Sequence, residues 1–108
     1  MHTNEHLGRL VVDIGGETRT LSLPFSALLA VENTLGEGIF ALLNRFASGA
    51  PRLQDVAVLL REALAANGTT QTLEHLGTLL LQDGIAAHVE TATRLLELTF
   101  TEALAGKP

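Results

Sequence analysis

The sequence predicts an α+β fold, mainly α, in which an N-terminal β-hairpin precedes about five helices packed as a small helical domain. Two observations carry this prediction. Apolar and polar residues alternate near the start of the chain, on both sides of a Gly-Gly pair. From Phe25 onward, leucine-rich residues recur with the period of an α-helix. Gly and Pro residues interrupt that second pattern, so it divides into separate helices.

The alternating region predicts strands near 8–14 and 17–23. Gly15 and Gly16 join them, and glycine takes the positive φ angles of a two-residue hairpin turn at no steric cost. Two strands alone are marginally stable in water. The apolar side of the hairpin is therefore expected to pack on the helices or to extend a sheet in another subunit. That side carries Leu10, Val12, Ile14, Leu21 and Leu23.

The helical period predicts helices at about 25–35, 37–48, 52–66, 73–82 and 85–105. Each helix is expected to bury one apolar stripe. In the first helix the stripe includes Phe25, Leu29 and Val31, and in the third it begins at Leu53. Glu32 lies within an otherwise apolar turn, so it either faces water or pairs with Arg61 or Arg45.

Length and charge limit the class of protein. The 108 residues fit one domain, which we place at residues 8–105, after a flexible N-terminal tail over residues 1–7. A net charge of −5 with dispersed basic residues and few aromatic residues argues against nucleic-acid binding. The N-terminus lacks a secretory pattern, and the longest strongly apolar run, 27–31, is far too short to cross a bilayer. These features predict a soluble, cytoplasmic protein with no membrane partner.

The residues that commonly carry chemistry form no known motif here. The chain has no cysteine, and its three serines lack the setting of a nucleophile. His75 and His88 fall on different predicted helices without metal-ligand spacing, although sequence alone leaves open whether they meet in space. We therefore predict no catalytic residue, no cofactor site and no metal site, and hence no enzyme.

Surplus apolar residues are the most informative feature of the helices. Leu79 and Leu81 flank the expected core face of the fourth helix on both sides. In the fifth helix, Leu98 falls nearly opposite the expected core face and Leu95 falls on its flank. Wide apolar faces of this kind either contact two neighbours within the monomer or bind a partner. These four leucines are the predicted partner-binding residues.

The order and spacing of several segments resemble the gene transfer agent family of small phage-tail proteins. The hairpin runs directly into Leu-Pro-Phe-Ser-Ala-Leu-Leu-Ala-Val-Glu at 23–32, and Leu35-Gly36 follows. The similarity extends over about 8–104, and its individual motifs are unspecific. One departure is Arg52, where a Ser or Thr cap is expected at the start of the third helix. The remaining matching segments are Leu42-Leu43, the run 55–60, Gly68, Glu74, 84–86, Leu95-Leu96 and Phe100.

This resemblance implies a non-enzymatic role in tail morphogenesis in a bacterial host. Such proteins are described either as tail assembly chaperones, which coat the tape-measure protein, or as structural tail-tube subunits associated with the virion. The partners implied are the tape-measure protein or other tail proteins, with self-association as an option. One short hairpin offers few strands for a tube wall, so the chaperone is the preferred interpretation. A small-ligand-binding or regulatory helical domain is the remaining alternative.

Overall fold

A computed structural model of the chain describes residues 3–4 and 8–105, with side chains described for 8–101. It confirms the predicted order of a hairpin followed by five helices. A short strand, β1, is added before the hairpin, within the segment predicted as a tail; the remainder of that tail lies outside the described residues. The elements are β1 (Thr3–Asn4), β2 (Arg9–Ile14), β3 (Glu17–Ser22), α1 (Phe25–Leu35), α2 (Ile39–Ala47), α3 (Leu53–Ala65), α4 (Leu73–Asp83) and α5 (Ile85–Ala105).

The described strands form one antiparallel sheet in the order β1-β2-β3. Gly15 and Gly16 form the predicted turn with φ angles of 64° and 84°, and Ile14 is paired with Glu17 across it. This register places Leu10 opposite Leu21, so the apolar residues of both strands share one face. That face packs against α3, α4 and α5 and is buried, as predicted.

Gly15 also lies against α4. Its backbone N–H donates a 2.8 Å hydrogen bond to Oδ2 of Asp83, and a Cβ atom at this position would lie 2.9 Å from Cδ2 of Leu79. The hairpin turn and the end of α4 are therefore fitted closely to each other.

We expect Gly15→Ala to destabilise the protein more than Gly16→Ala. Both substitutions place a Cβ on a residue with positive φ, which lowers the free energy of unfolding by about 1–2 kcal/mol. Only the first displaces Leu79, which adds roughly 1 kcal/mol, because nothing lies within 4 Å of a Cβ at Gly16. Urea unfolding of the two variants measures the difference, and equal losses would show that the contact with Leu79 contributes nothing.

Helix α3 is the centre of the fold. It contacts α1, α4, α5 and β3, so side chains on several sides of it are buried. Val58 and Leu59, which are adjacent in sequence and point in different directions, are both fully buried. A helix surrounded in this way shows no single apolar stripe in its sequence.

The expected core stripe of α1 is wrong at two positions. Phe25 and Leu29 are exposed, and the buried residues are Ala27 and Val31. Since each residue of a helix turns by about 100°, Ala27 and Val31 share one side and Phe25 and Leu29 share the opposite side. Leu53, at the start of α3, is exposed as well and does not join the expected stripe.

Helix α5 buries a wide face. Leu98 and Phe100 are about 200° apart around the helix, and they line clefts on different sides of it. One side of α5 contacts the sheet and the other contacts α2, while α3 and α4 also pack on this helix. Residues predicted to lie off the core face of α5 are therefore enclosed by these neighbours.

Within the described part of the chain, no single helix is long and apolar enough to span a membrane. The pair α1 and α2 meets the length and composition criteria only when joined, and it is bent by 85°.

Candidate partner-binding surfaces

The first candidate surface is a shallow hollow of about 690 Å³ between α1 and the start of α2, here called the α1 hollow. Leu29 and Ala30 supply its apolar part, and Glu32, Glu37 and Asn33 supply polar groups. The exposed side of α1 thus presents a small apolar area with an acidic margin. A partner that fits it would combine apolar and basic side chains.

Glu32 connects α1 to the start of α2 beside this hollow. Its Oε2 accepts a 2.7 Å hydrogen bond from the backbone N–H of Ile39, the first residue of α2. The sequence left two environments open for this carboxylate, water or an ion pair with Arg61 or Arg45. In the structure its hydrogen bond comes instead from the backbone of α2. It satisfies one of the free N–H groups at the start of α2, and a negative charge is favourable at that end of a helix.

The second candidate surface is an apolar groove of about 200 Å³ between α2 and α5, here called the α2–α5 groove. Its walls include Leu43 and Ala47 from α2, with Leu96 and Glu97 from α5. Phe40 and Phe100 lie with ring centroids 6.2 Å apart and planes tilted by 56°. Phe40 is nevertheless 71% exposed, so one face of this aromatic pair is available to a partner.

The four predicted partner-binding leucines do not form one surface. Leu81 is 64% exposed, and Leu79 is half-buried beside Gly15. Leu95 and Leu98 are buried in the core of the monomer. Of the two alternatives left open by the sequence, burial within the monomer applies to Leu95 and Leu98.

The sequence analysis did not single out Phe40, and it placed Phe25 in a core stripe although Phe25 is exposed. Phe40 follows Ile39, the first residue of the predicted core stripe of α2, and so projects about 100° away from it. The same angular test that singled out Leu98 would have identified Phe40. The test is reliable on α2 because that helix has few neighbours, whereas α5 is enclosed on several sides.

A cluster of four charged residues, here called the ionic cluster, joins α2 to the start of α3. It comprises Glu37, Arg45, Arg52 and Asp55. Arg45 donates from Nε to Oδ2 of Asp55 at 2.7 Å and from Nη1 to Oε1 of Glu37 at 2.8 Å. Arg52 donates from Nη2 to Glu37 at 2.6 Å and to Asp55 at 2.9 Å. Each arginine thus bridges both carboxylates.

Asp55 is the buried centre of this cluster and also caps α3. Its Oδ2 accepts a 2.7 Å hydrogen bond from the backbone N–H of Arg52, which explains how α3 begins without the expected Ser or Thr cap. Burial alone would raise the pKa of Asp55, but hydrogen bonds from Arg45 and Arg52 outweigh burial and lower it to about 2. The hydrogen bond from Arg45 likewise lowers the pKa of Glu37.

A second polar contact ties the hairpin turn to the junction of α4 and α5. Nε2 of the buried His88 lies 2.9 Å from Oδ2 of Asp83, the same oxygen that accepts from Gly15. The hydrogen bond from Gly15, followed by that from His88, lowers the pKa of Asp83. His75 is exposed in the first turn of α4, where its backbone N–H donates to Thr72. Among the described residues, no three His, Asp or Glu side chains are grouped so as to hold a metal ion.

These surfaces belong to a phage tail protein. A family model described as "Phage tail tube protein, GTA-gp10" matches residues 7–102, and the chain belongs to that family. No curated protein and no solved structure matches it significantly.

Proposed function

We propose that this protein is a non-enzymatic tail assembly chaperone that binds the tape-measure protein in the cytoplasm of the bacterial host. The observation that carries the proposal is the exposure of large apolar side chains on a domain that already has a complete apolar core. Such side chains gain free energy when a partner covers them. They are Phe25, Leu29, Phe40, Leu53 and Leu81.

The strand content supports a chaperone over a tube subunit. The described sheet has two strands of six residues and one of two, and its apolar face is already covered by helices. A continuous wall of strands would have to be built from edges of this small sheet. The helices offer more surface to a long client than the sheet does.

The α1 hollow is the proposed contact with the client. Leu29 provides apolar area, and Glu32 provides negative charge at its margin. Glu37, by contrast, is already paired with Arg45 and Arg52. A helix of the tape-measure protein with apolar residues on one side and basic residues beside them is complementary to this surface. Neither a cofactor nor a metal takes part in the proposed contact.

The second candidate function is that of a structural subunit of the tail tube. The family to which the chain belongs is described as a tail tube protein, which favours this role. A subunit of the finished tail would remain in the particle, whereas a chaperone would leave as the tube assembles.

Coexpression with the tape-measure protein tests the proposed client contact. We expect Leu29→Asp to reduce co-purification about tenfold or more, because it removes apolar area from the contact and places a charge against the apolar side of the client. Ala87→Asp is the control, since it places the same charge on an exposed helical residue that neither lines the hollow nor belongs to the exposed apolar set. Both variants should retain wild-type unfolding curves. Equal binding by Leu29→Asp and the wild type would refute this contact.

A further inference from the structure

The cleft on the sheet side of α5 contains an exposed cation. This cleft, of about 320 Å³, is here called the Arg9 cleft, and its walls include Arg9, Pro24, Leu98 and Thr99. Arg9 is exposed and makes no ion pair with any described residue. Phe25 directly follows Pro24 and is 74% exposed. An exposed arginine therefore lines this cleft, and an exposed phenylalanine follows its wall residue Pro24 in the chain.

The α2–α5 groove lies on the other side of the same helix. Leu98 lines the Arg9 cleft and Phe100 lines the groove, and the two residues are about 200° apart around α5. Glu97, on the wall of the groove, has a side chain that is 59% exposed, and its contact with Arg94 is long at 3.5 Å. The groove therefore presents an accessible carboxylate next to apolar walls.

We propose that a second copy of this chain docks head to tail, with the Arg9 cleft of one copy on the α2–α5 groove of the next. In this arrangement Arg9 pairs with Glu97 of the next copy, and Phe25 packs against the exposed ring of Phe40. The two surfaces are complementary in charge and both contain exposed aromatic area. The contact uses different surfaces on the two copies, so it forms a ring or an extended series rather than a closed two-fold dimer.

A second copy is the favoured occupant because opposite charges lie on the two surfaces of the same chain. Two copies with a net charge of −5 repel each other overall, so association requires local pairs of opposite sign. Such a pair is supplied by Arg9, which pairs with no acidic side chain among the described residues, and by the exposed Glu97. The inference goes beyond the proposed chaperone function and does not depend on the identity of the client.

Charge reversal tests the arrangement. The mass of the purified protein is followed by sedimentation velocity from dilute to concentrated solution. We expect species larger than a dimer for the wild type. Arg9→Glu and Glu97→Arg should each weaken association about tenfold or more, because like charges then face each other. Glu74→Arg is the matched control, since it reverses an exposed glutamate on α4 away from both surfaces.

Mixing Arg9→Glu with Glu97→Arg is the decisive experiment. Each altered surface is complementary to the altered surface of the other variant, and the unaltered surfaces also match, so an equimolar mixture should regain association. A monomer at every concentration, a series that stops at the dimer, or single reversals without effect would overturn the head-to-tail contact. Co-purification of the tape-measure protein with the reversed variants reports separately on the proposed function.

Discussion

Asp55→Ala is expected to lower the free energy of unfolding by about 3–5 kcal/mol, the range for removing one partner of a buried ion pair. The substitution leaves Arg45 and Arg52 with Glu37 alone and removes the cap of α3. Urea unfolding measures the loss. Asp13→Ala is the matched control and should cost less than about 1 kcal/mol, because Asp13 is exposed and accepts a single side-chain hydrogen bond from Thr18.

The same residue predicts how stability depends on pH. The pKa of Asp55 is about 2 in the folded protein, below the ordinary value of about 3.9 for an unfolded chain. Its stabilising contribution is therefore fully present above about pH 4 and is lost as the pH falls toward 2. Asp55→Asn should have a smaller loss of stability across that window. A wild-type protein and an Asp55→Asn variant with identical pH profiles would contradict this assignment.

Leu95→Ala is expected to destabilise the protein by about 2–5 kcal/mol, whereas Leu81→Ala should change stability by less than about 0.5 kcal/mol. The chemical change is the same in both, but Leu95 is 0% exposed and Leu81 is 64% exposed. Thermal or urea unfolding of the pair gives the comparison directly. Equal effects would show that α5 is not packed in the core as described.

The comparison of Leu95→Ala with Leu81→Ala also distinguishes effects on folding from effects on partner binding among the four leucines predicted from sequence. A loss of client binding in a Leu95 variant would follow from unfolding and would carry no information about a partner surface. Leu81 stays a predicted partner-binding residue that can be tested without disturbing the core.

The sequence was sufficient for the order of the hairpin and the five helices, although not for β1, because glycine and proline residues marked most of their boundaries. Gly15 and Gly16 specify the hairpin turn, and Gly36 takes the left-handed conformation that ends α1. Patterns within one helix were less informative where a helix has neighbours on several sides. Leu95 and Leu98 appeared surplus because the simultaneous packing of α5 on the sheet, α2, α3 and α4 is not visible in its period.

The candidate surfaces were predictable only in part. The sequence showed that the helices carry more apolar residues than one buried stripe per helix requires. The structure places part of that excess at Phe25, Phe40 and Leu81. The ionic cluster was not predicted, because its members are far apart in the chain: Glu37 and Asp55 are separated by 18 positions. In the sequence alone, their charges resemble those of an ordinary solvated helix face. Likewise, only the fold brings Glu32 to the N–H of Ile39.

The content of finished particles tests the central claim most directly. Quantitative mass spectrometry would compare this protein in cell lysate, in complexes with the tape-measure protein and in purified particles. The chaperone proposal predicts that the protein is present in complexes formed before assembly and absent from finished particles. Its presence in particles at the copy number of a ring or tube subunit would contradict the proposal and establish the structural role instead.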